Sequence, residues 1–348
     1  MLQWLVLFEQ IRSGGCLSYL IGCDDSCAAL IVDPHLEQLD RYIALVAERG
    51  MRVHYVAETH THADHFSAAR ELGKALGAKI VTHRTSPAPF ANVRVDDGES
   101  LLIGKLRMRV MHTPGHTGDS MCFVLEDRVL TGDTLLIGGT GRTDLPTGDP
   151  DNLYDSLFGK LLHIGDHMKV YPAHDYKERN SSTIGAEKTT NVRLKKTERA
   201  DFVALMRGLD LKMPDHLTEA LRTNCSGGKT VAQLIAEASR EVAFMSMPEV
   251  AARIERGQHD LLLLDVREKE AFDRGHLPGA KHLPRGQLEL RVDKELPDPS
   301  ARILTYCQLG RISTLATSTL RTMGFQRAVA LDGGYDAWVE AGFPVTTA

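Results

Sequence analysis

The chain has 348 residues, 43% of them hydrophobic and 25% charged, and a formal net charge of −5 at pH 7. A length of this order holds about two domains, each with ample core. The mild acidity and scattered lysines and arginines argue against a nucleic-acid partner, and no apolar run approaches membrane-spanning length.

Residues 1–8 are apolar, too short for a signal peptide and without its basic flank, so they read as a first strand. Short β-rich runs at 30–34 and 79–82 alternate with helical stretches at 39–49 and 67–76. Six cysteines without paired spacing, beside many candidate metal ligands, point to a reducing cytosol and no disulfide. Five of them, Cys16, Cys23, Cys27, Cys122 and Cys225, read as buried or half-buried structural thiols.

After the apolar run 53–57 comes Thr59-His60-Thr61-His62-Ala63-Asp64-His65. Imidazoles at this density, with a carboxylate, suit a metal better than a solvated loop, because neutral imidazole ligates zinc, copper, iron and nickel. A strand ending here in a tight loop would converge them. Further candidates follow: His116 in Thr113-Pro114-Gly115-His116-Thr117, Asp133 in Leu130-Thr131-Gly132-Asp133-Thr134, and His174 in Tyr171-Pro172-Ala173-His174-Asp175. Each sits after a short apolar run, beside Gly, Pro or Thr, where a rigid strand end meets an open loop. The candidate ligands are His60, His62, Asp64, His65, His116, Asp133 and His174.

This order of motifs resembles the metallo-β-lactamase superfamily, whose His-x-His-x-Asp-His motif and later His, Asp and His match residue for residue. The resemblance implies an α/β fold, an αββα sandwich with the metal along one edge. The superfamily includes hydrolases and oxygenases, so the fold alone does not fix the chemistry. With all the ligands engaged, the chain would hold two metals and hydrolyse a thioester, S-D-lactoylglutathione, as glyoxalase II does. With His60, His116 and Asp133 alone it would hold one Fe(II), two histidines and a carboxylate leaving positions open for substrates. His62, Asp64, His65 and His174 would then fix tautomers and hold waters around that centre.

The ligands do not choose between these readings; the segment Gly141-Arg142-Thr143-Asp144 does. Glyoxalase II carries an aromatic pair after this Gly-Arg, whereas Thr-Asp is similar to the persulfide dioxygenases. That resemblance implies oxidation of glutathione persulfide by O2 to sulfite and glutathione, with iron rather than redox-inert zinc. Arg142, Arg193 and Tyr176 are the candidates for holding the carboxylates of glutathione. The alternative for either arginine is an ion pair on a loop.

Residues 195–211 read as a helix with Phe202, Leu205 and Met206 on one face, broken by Met213-Pro214. Segment 224–228 resembles the close of a persulfide dioxygenase, so a first domain is expected over 1–230. A helical linker follows at 231–243, whose Val231, Leu234, Ile235 and Ala238 suggest packing on a neighbour. The second domain, 244–348, has the apolar run 261–264 ending in Asp265-Val266-Arg267, as a buried parallel strand should. A strand at 303–306 runs into the loop Cys307-Gln308-Leu309-Gly310-Arg311-Ile312, with a helix expected from 313 to 323. A thiol at a helix N-terminus is activated by the dipole and free N–H groups.

This segment, through Gly333-Gly334-Tyr335-Asp336-Ala337-Trp338, resembles a rhodanese domain, a three-layer α/β/α fold with a parallel sheet. The resemblance implies that Cys307 carries a sulfane sulfur, transferred between thiosulfate and glutathione. The family's loop runs Cys-x-x-Gly-x-Arg, whereas here Arg311 stands fifth and Ile312 sixth, shifting the cation by one residue. His276 falls in the family's Gly-His-x-Pro-Gly turn and is expected to be structural.

The expectation is a cytoplasmic persulfide dioxygenase fused to a rhodanese, with one Fe(II) per chain. Its partners would be glutathione persulfide, glutathione, thiosulfate or sulfite, and O2, with neither nucleic acid nor membrane. The direction of sulfur transfer and the oligomeric state, a homodimer included, stay open. A glyoxalase II-like hydrolase, an oxidase of CoA or protein persulfides, and a sulfur sensor with a degenerate rhodanese domain are the alternatives.

Overall fold

The computed structural model describes residues 6–258, 260–296 and 298–347, in two units that divide after Gly228. Among them no helix is long and apolar enough to cross a membrane. The strand expected over 1–8 falls partly outside the described residues.

The first unit is built on two six-stranded sheets. One runs in chain order through β1 (Val6–Ser13), β2 (Cys16–Cys23), β3 (Ala28–Val32), β4 (Arg52–Ala57), β5 (Lys79–His83) and β6 (Val93–Val95). The other contains β7 (Ser100–Ile103), β8 (Leu106–His112), β9 (Met121–Val124), β10 (Arg128–Gly132), β11 (Lys169–Pro172) and β12 (Ser182–Thr183). Strand β8 shows why they stack: Leu106, Met108 and Val110 point inward while Arg107 and Arg109 face out, the period of a half-buried strand. These side chains meet Tyr19, Leu30 and Val81 of the first sheet in one apolar layer.

Helices cover both outer faces. Helix α1 (Leu39–Glu48) and α2 (Ala69–Leu76) lay Tyr42, Val46 and Leu72 on the first sheet. On the second sheet lie α3 (Pro150–Tyr154), α4 (Ile184–Thr190) and α5 (Arg199–Arg207), through Leu153, Ile184, Phe202 and Met206. This is the expected αββα sandwich. Helix α5 is shorter than residues 195–211: it stops at Gly208, a poor helix residue, well before Met213-Pro214. An irregular stretch then leads to α6 (Leu217–Ser226), which ends on Gly227 at φ 72°.

In the second unit, α7 (Val231–Glu241) is capped by Thr230 and Gln233 and packs against a later helix of the same unit. The parallel sheet has the order β13 (Phe244–Met245), β17 (Ala328–Leu331), β16 (Arg302–Tyr306), β14 (Leu261–Asp265), β15 (Lys281–His282). Interior strand β14 is apolar on both faces because helices lie on both. Among them, α8 (Met247–Glu255) and α12 (Gly334–Glu340) pack Val250 and Trp338 on one side. Helix α10 (Leu288–Glu295) and α11 (Arg311–Thr322) pack Leu288, Val292, Ala316 and Leu320 on the other, and α9 (Lys269–Arg274) sits between α8 and α10 in sequence. It is α11 that α7 contacts.

Candidate metal centre and cysteine loop

Four strands of the sandwich, β4, β8, β10 and β11, end just before the candidate ligands. The turn out of β10 needs Gly132 at φ 50°, because a Cβ there would stand 2.5 Å from Thr59 Oγ1. Asp33, just past β3, holds the rare φ of 51° and receives hydrogen bonds from Thr59 N (2.7 Å) and Thr59 Oγ1 (2.8 Å). It pins the start of the histidine loop.

The structure sorts the candidate ligands into three groups. His60, His116 and Asp133 form the first, their ligand atoms all within 4.8 Å of one another and the residues 3, 5 and 9% exposed. Hydrogen bonds fix both tautomers. Thr59 Oγ1 spends its proton on Asp33, so at 2.9 Å it accepts from His60 Nδ1. His116 Nδ1 donates to the Arg142 carbonyl at 2.7 Å. Each imidazole is left with an Nε2 lone pair, that of His116 3.6 Å from Asp133 Oδ2 and that of His60 buried without a hydrogen-bond partner. Burial also holds His60 well below the usual imidazole range, hence neutral. Two buried lone pairs beside a carboxylate are the donor set of a divalent metal, and the residues fit one.

His174 differs. Its Nδ1 lies 2.7 Å from Asp133 Oδ1 and its Nε2 2.7 Å from Asp64 Oδ2, so both nitrogens donate to carboxylates. Burial opposes charge on this ring, but the two carboxylates outweigh it and raise its pKa well above the ordinary value. His174 thus orients Asp133, since a hydrogen bond to one carboxylate oxygen fixes the direction of the other. With Asp64 and His65 it belongs to the second group, and that group's fourth member is Cys16. The Cys16 Sγ is 3.6 Å from Asp64 Oδ2 and 3.8 Å from His65 Nδ1. Burial pushes the thiol up, but hydrogen bonds and charges from His174 and His65 win and bring it to about 7. Cys16 is a site residue that the sequence reading left as structural.

The third group is His62 with Asp33 and Glu58, all buried. His62 Nε2 lies 3.2 Å from Asp33 Oδ1 and 3.0 Å from Glu58 Oε2. A cavity of about 560 Å³ opens above the centre, within the range of small-molecule sites. His116, Asp133, Asp64 and His174 line its floor, with Tyr176 and Arg193 on its walls. The Arg142 guanidinium, also at the cavity, is committed elsewhere: twice to Asp144 at 2.6 Å, and to the carbonyls of Lys212 (2.8 Å) and Leu211 (3.1 Å). Arg193 gives Nη1 to Thr140 O at 2.6 Å and Thr140 Oγ1 at 3.0 Å, bracing the loop before Arg142. Tyr176 is 77% exposed, its ring nearly parallel to that of His174.

In the second unit Cys307 follows β16 directly and is 3% exposed, its Sγ accepting from Ser313 N at 3.3 Å. Gly310, at φ 80°, turns the loop into α11. The loop is fastened to the start of α12 by Tyr335 N to Cys307 O (2.8 Å) and Asp336 N to Gln308 O (3.0 Å). Arg267, paired with Asp265, donates to Gln308 Oε1 at 3.1 Å. Arg311 is the exposed first residue of α11, and Leu309 and Ile312 stand 61% and 51% exposed beside the thiol. His276 stacks on Phe272 and bonds to its carbonyl at 3.0 Å, a structural role as expected.

Comparison with known proteins adds the following. The family model described as metallo-beta-lactamase superfamily matches residues 11–176, and the one described as rhodanese-like domain matches residues 246–341. Persulfide dioxygenase ETHE1, mitochondrial, from Bos taurus is 37% identical over 214 residues, 61% of this chain and 84% of the relative. The crystal structure of ETHE1 from Myxococcus xanthus superposes with a TM-score of 0.62 at 39% identity, covering 64% of this chain and 100% of that one. A metallo-beta-lactamase from Staphylococcus aureus subsp. aureus COL, 24% identical, shares the fold over 94% of this chain and 98% of its own, with a TM-score of 0.60.

Proposed function

Because this chain belongs to the persulfide dioxygenase family of the metallo-beta-lactamase superfamily and carries a C-terminal rhodanese-like domain, we propose that its first unit oxidises glutathione persulfide. In that reaction, persulfide, O2 and water give glutathione and sulfite. The observation that carries the reading is the sorting of the ligands. His60, His116 and Asp133 converge with free lone pairs, while His174 is tied through both nitrogens to carboxylates. This favours one metal per chain over two. His60, His116 and Asp133 would hold Fe(II), which would supply a redox change that zinc cannot.

The chain's own residues do the rest. Thr59 and the Arg142 carbonyl hold the two imidazoles in the ligating tautomer, and His174 holds Asp133. Among the described residues only Nη1 of the Arg193 guanidinium is engaged, which makes it a better carboxylate contact than Arg142. Tyr176 offers a hydroxyl at the wall, and Asp64, kept ionised by the imidazoles of His174 and His65, holds His174 in its orientation. Replacing His60, His116 or Asp133 by Ala should remove bound iron and oxygen uptake together, read by metal analysis and an oxygen electrode. Full iron occupancy in any of these variants would contradict the assignment.

The second unit we read as transferring sulfane sulfur between thiosulfate and glutathione through a Cys307 persulfide. The Ser313 N–H already points at Sγ, where the added sulfur would be anchored. Joining both sites on one chain raises the effective concentration of persulfide near the oxidising site. Cys307→Ser should abolish transfer from thiosulfate while oxidation of added glutathione persulfide continues. Loss of both activities would mean that the cysteine serves the first unit as well.

A further inference from the structure

We propose that Asn224 is a positioning residue of the metal centre, which makes helix α6 part of the active site. The inference rests on the reading of His60, His116 and Asp133 as the metal ligands. Asn224 lies in the last turn of α6, well beyond residue 176, where the superfamily match ends. Its side chain faces the histidine loop and is 8% exposed. Asn224 Nδ2 donates to the carbonyls of His62 (2.8 Å) and His65 (2.9 Å), and Oδ1 accepts from Ser67 N (3.2 Å).

These bonds span the irregular turn 62–67 that presents His62, Asp64 and His65. A neutral carboxamide is the one small side chain that can give two protons and accept one in the same plane. The first half of the loop is held by other means. Thr59 is bound to Asp33, and Thr61 Oγ1 donates to Asp119 at 2.6 Å. At the second half, Leu36 N to Phe66 O (2.8 Å) and Ser67 Oγ to Glu58 hold the end of the turn, and among the described residues Asn224 alone ties the His62 and His65 carbonyls together. Helix α6 is itself anchored, since Arg70 Nη1 donates to Gly227 O at 2.6 Å.

From the turn, a chain of contacts leads to the metal. Asp64 Oδ2 receives His174 Nε2, and His174 Nδ1 holds Asp133 Oδ1, each at 2.7 Å. Displacing the 62–65 carbonyls therefore moves Asp64, then His174, then a ligand. Asn224 touches neither substrate nor metal in this arrangement, so it acts through others.

The test uses the full-length protein and three variants, Asn224→Asp, Asn224→Ser and Arg70→Ala. Asn224→Asp keeps an acceptor for Ser67 but aims carboxylate oxygen at two carbonyls. Asn224→Ser retains one donor and serves if the first variant does not fold. Arg70→Ala loosens α6 without touching Asn224. Iron(II) and cobalt(II) affinity is read by chelator competition, the cobalt(II) absorption spectrum reports ligand geometry, and thermal unfolding of the metal-free protein reports packing. The Asn224 variants should lose about 10–100-fold in metal affinity and change the cobalt spectrum, while Arg70→Ala, which leaves the Asn224 bonds themselves in place, lowers the unfolding midpoint and costs less affinity. Unchanged affinity and spectrum in a folded Asn224 variant would overturn the proposal. So would an equal loss of affinity in Arg70→Ala. A His60→Ala protein that still binds metal would instead sink the ligand assignment on which the proposal rests.

Discussion

Cys16 opens β2 with nothing in its sequence neighbours to mark it, yet it completes a cluster with Asp64, His65 and His174. Its partners come from a distant loop and from the end of β11, joined to it by Leu17 N to Ala173 O at 2.7 Å. With the thiol lowered to about 7, its thiolate fraction in the metal-free protein should rise through that pH and then level off. An ordinary thiol would still be rising near 9.0. The rate of carbamidomethylation of the Cys16 peptide by mass spectrometry checks this; a midpoint at the ordinary value would mean that the imidazoles do not reach the sulfur. The candidate ligands were legible because each follows an apolar run that had to be a strand. Their division into three groups was not, since it depends on which lone pairs and carboxylates meet across the sandwich.

At the scale of elements, the mouth of the cavity is where sequence reading stopped short. The stretch between Gly208 and α6 has no period and reads as a broken helix, but Leu211, Lys212 and Pro214 wall the cavity. What fixes it is Arg142, whose carbonyl orients His116 while its guanidinium grips Asp144 and the carbonyls of Leu211 and Lys212. The expected choice between a substrate-binding arginine and a loop ion pair falls, in its contacts, to the latter. Arg142→Met keeps the backbone bond to His116 and releases the wall. It should retain iron, raise KM for the persulfide roughly 10-fold, equivalent to about 1.4 kcal/mol of lost binding, and speed proteolysis within 208–216. An unchanged KM with faster cleavage would show that the wall does not contact substrate. Longer elements were legible from their periods: the run over 39–49 is α1, and the apolar run 261–264 is the interior strand β14. Two-residue strands such as β13 and β15 are set by tertiary pairing and leave no such signal.

At the scale of the whole molecule, the αββα sandwich and the parallel-sheet unit both follow from pattern and motif order, and their family memberships agree. The chemistry that separates an oxygenase from a thioesterase on this fold resides in a few side chains, which is why fold and ligand types alone left it open. The segment 231–243 is also more than a spacer, for α7 packs on α11 in the second unit. The most direct test of the central claim is oxygen uptake by the purified protein with freshly made glutathione persulfide, with iron and zinc counted on the same sample. The account predicts one O2 consumed and one sulfite formed per persulfide, with one iron per chain. No uptake from an iron-loaded sample, or two metals per chain with hydrolysis of a glutathione thioester, would contradict it.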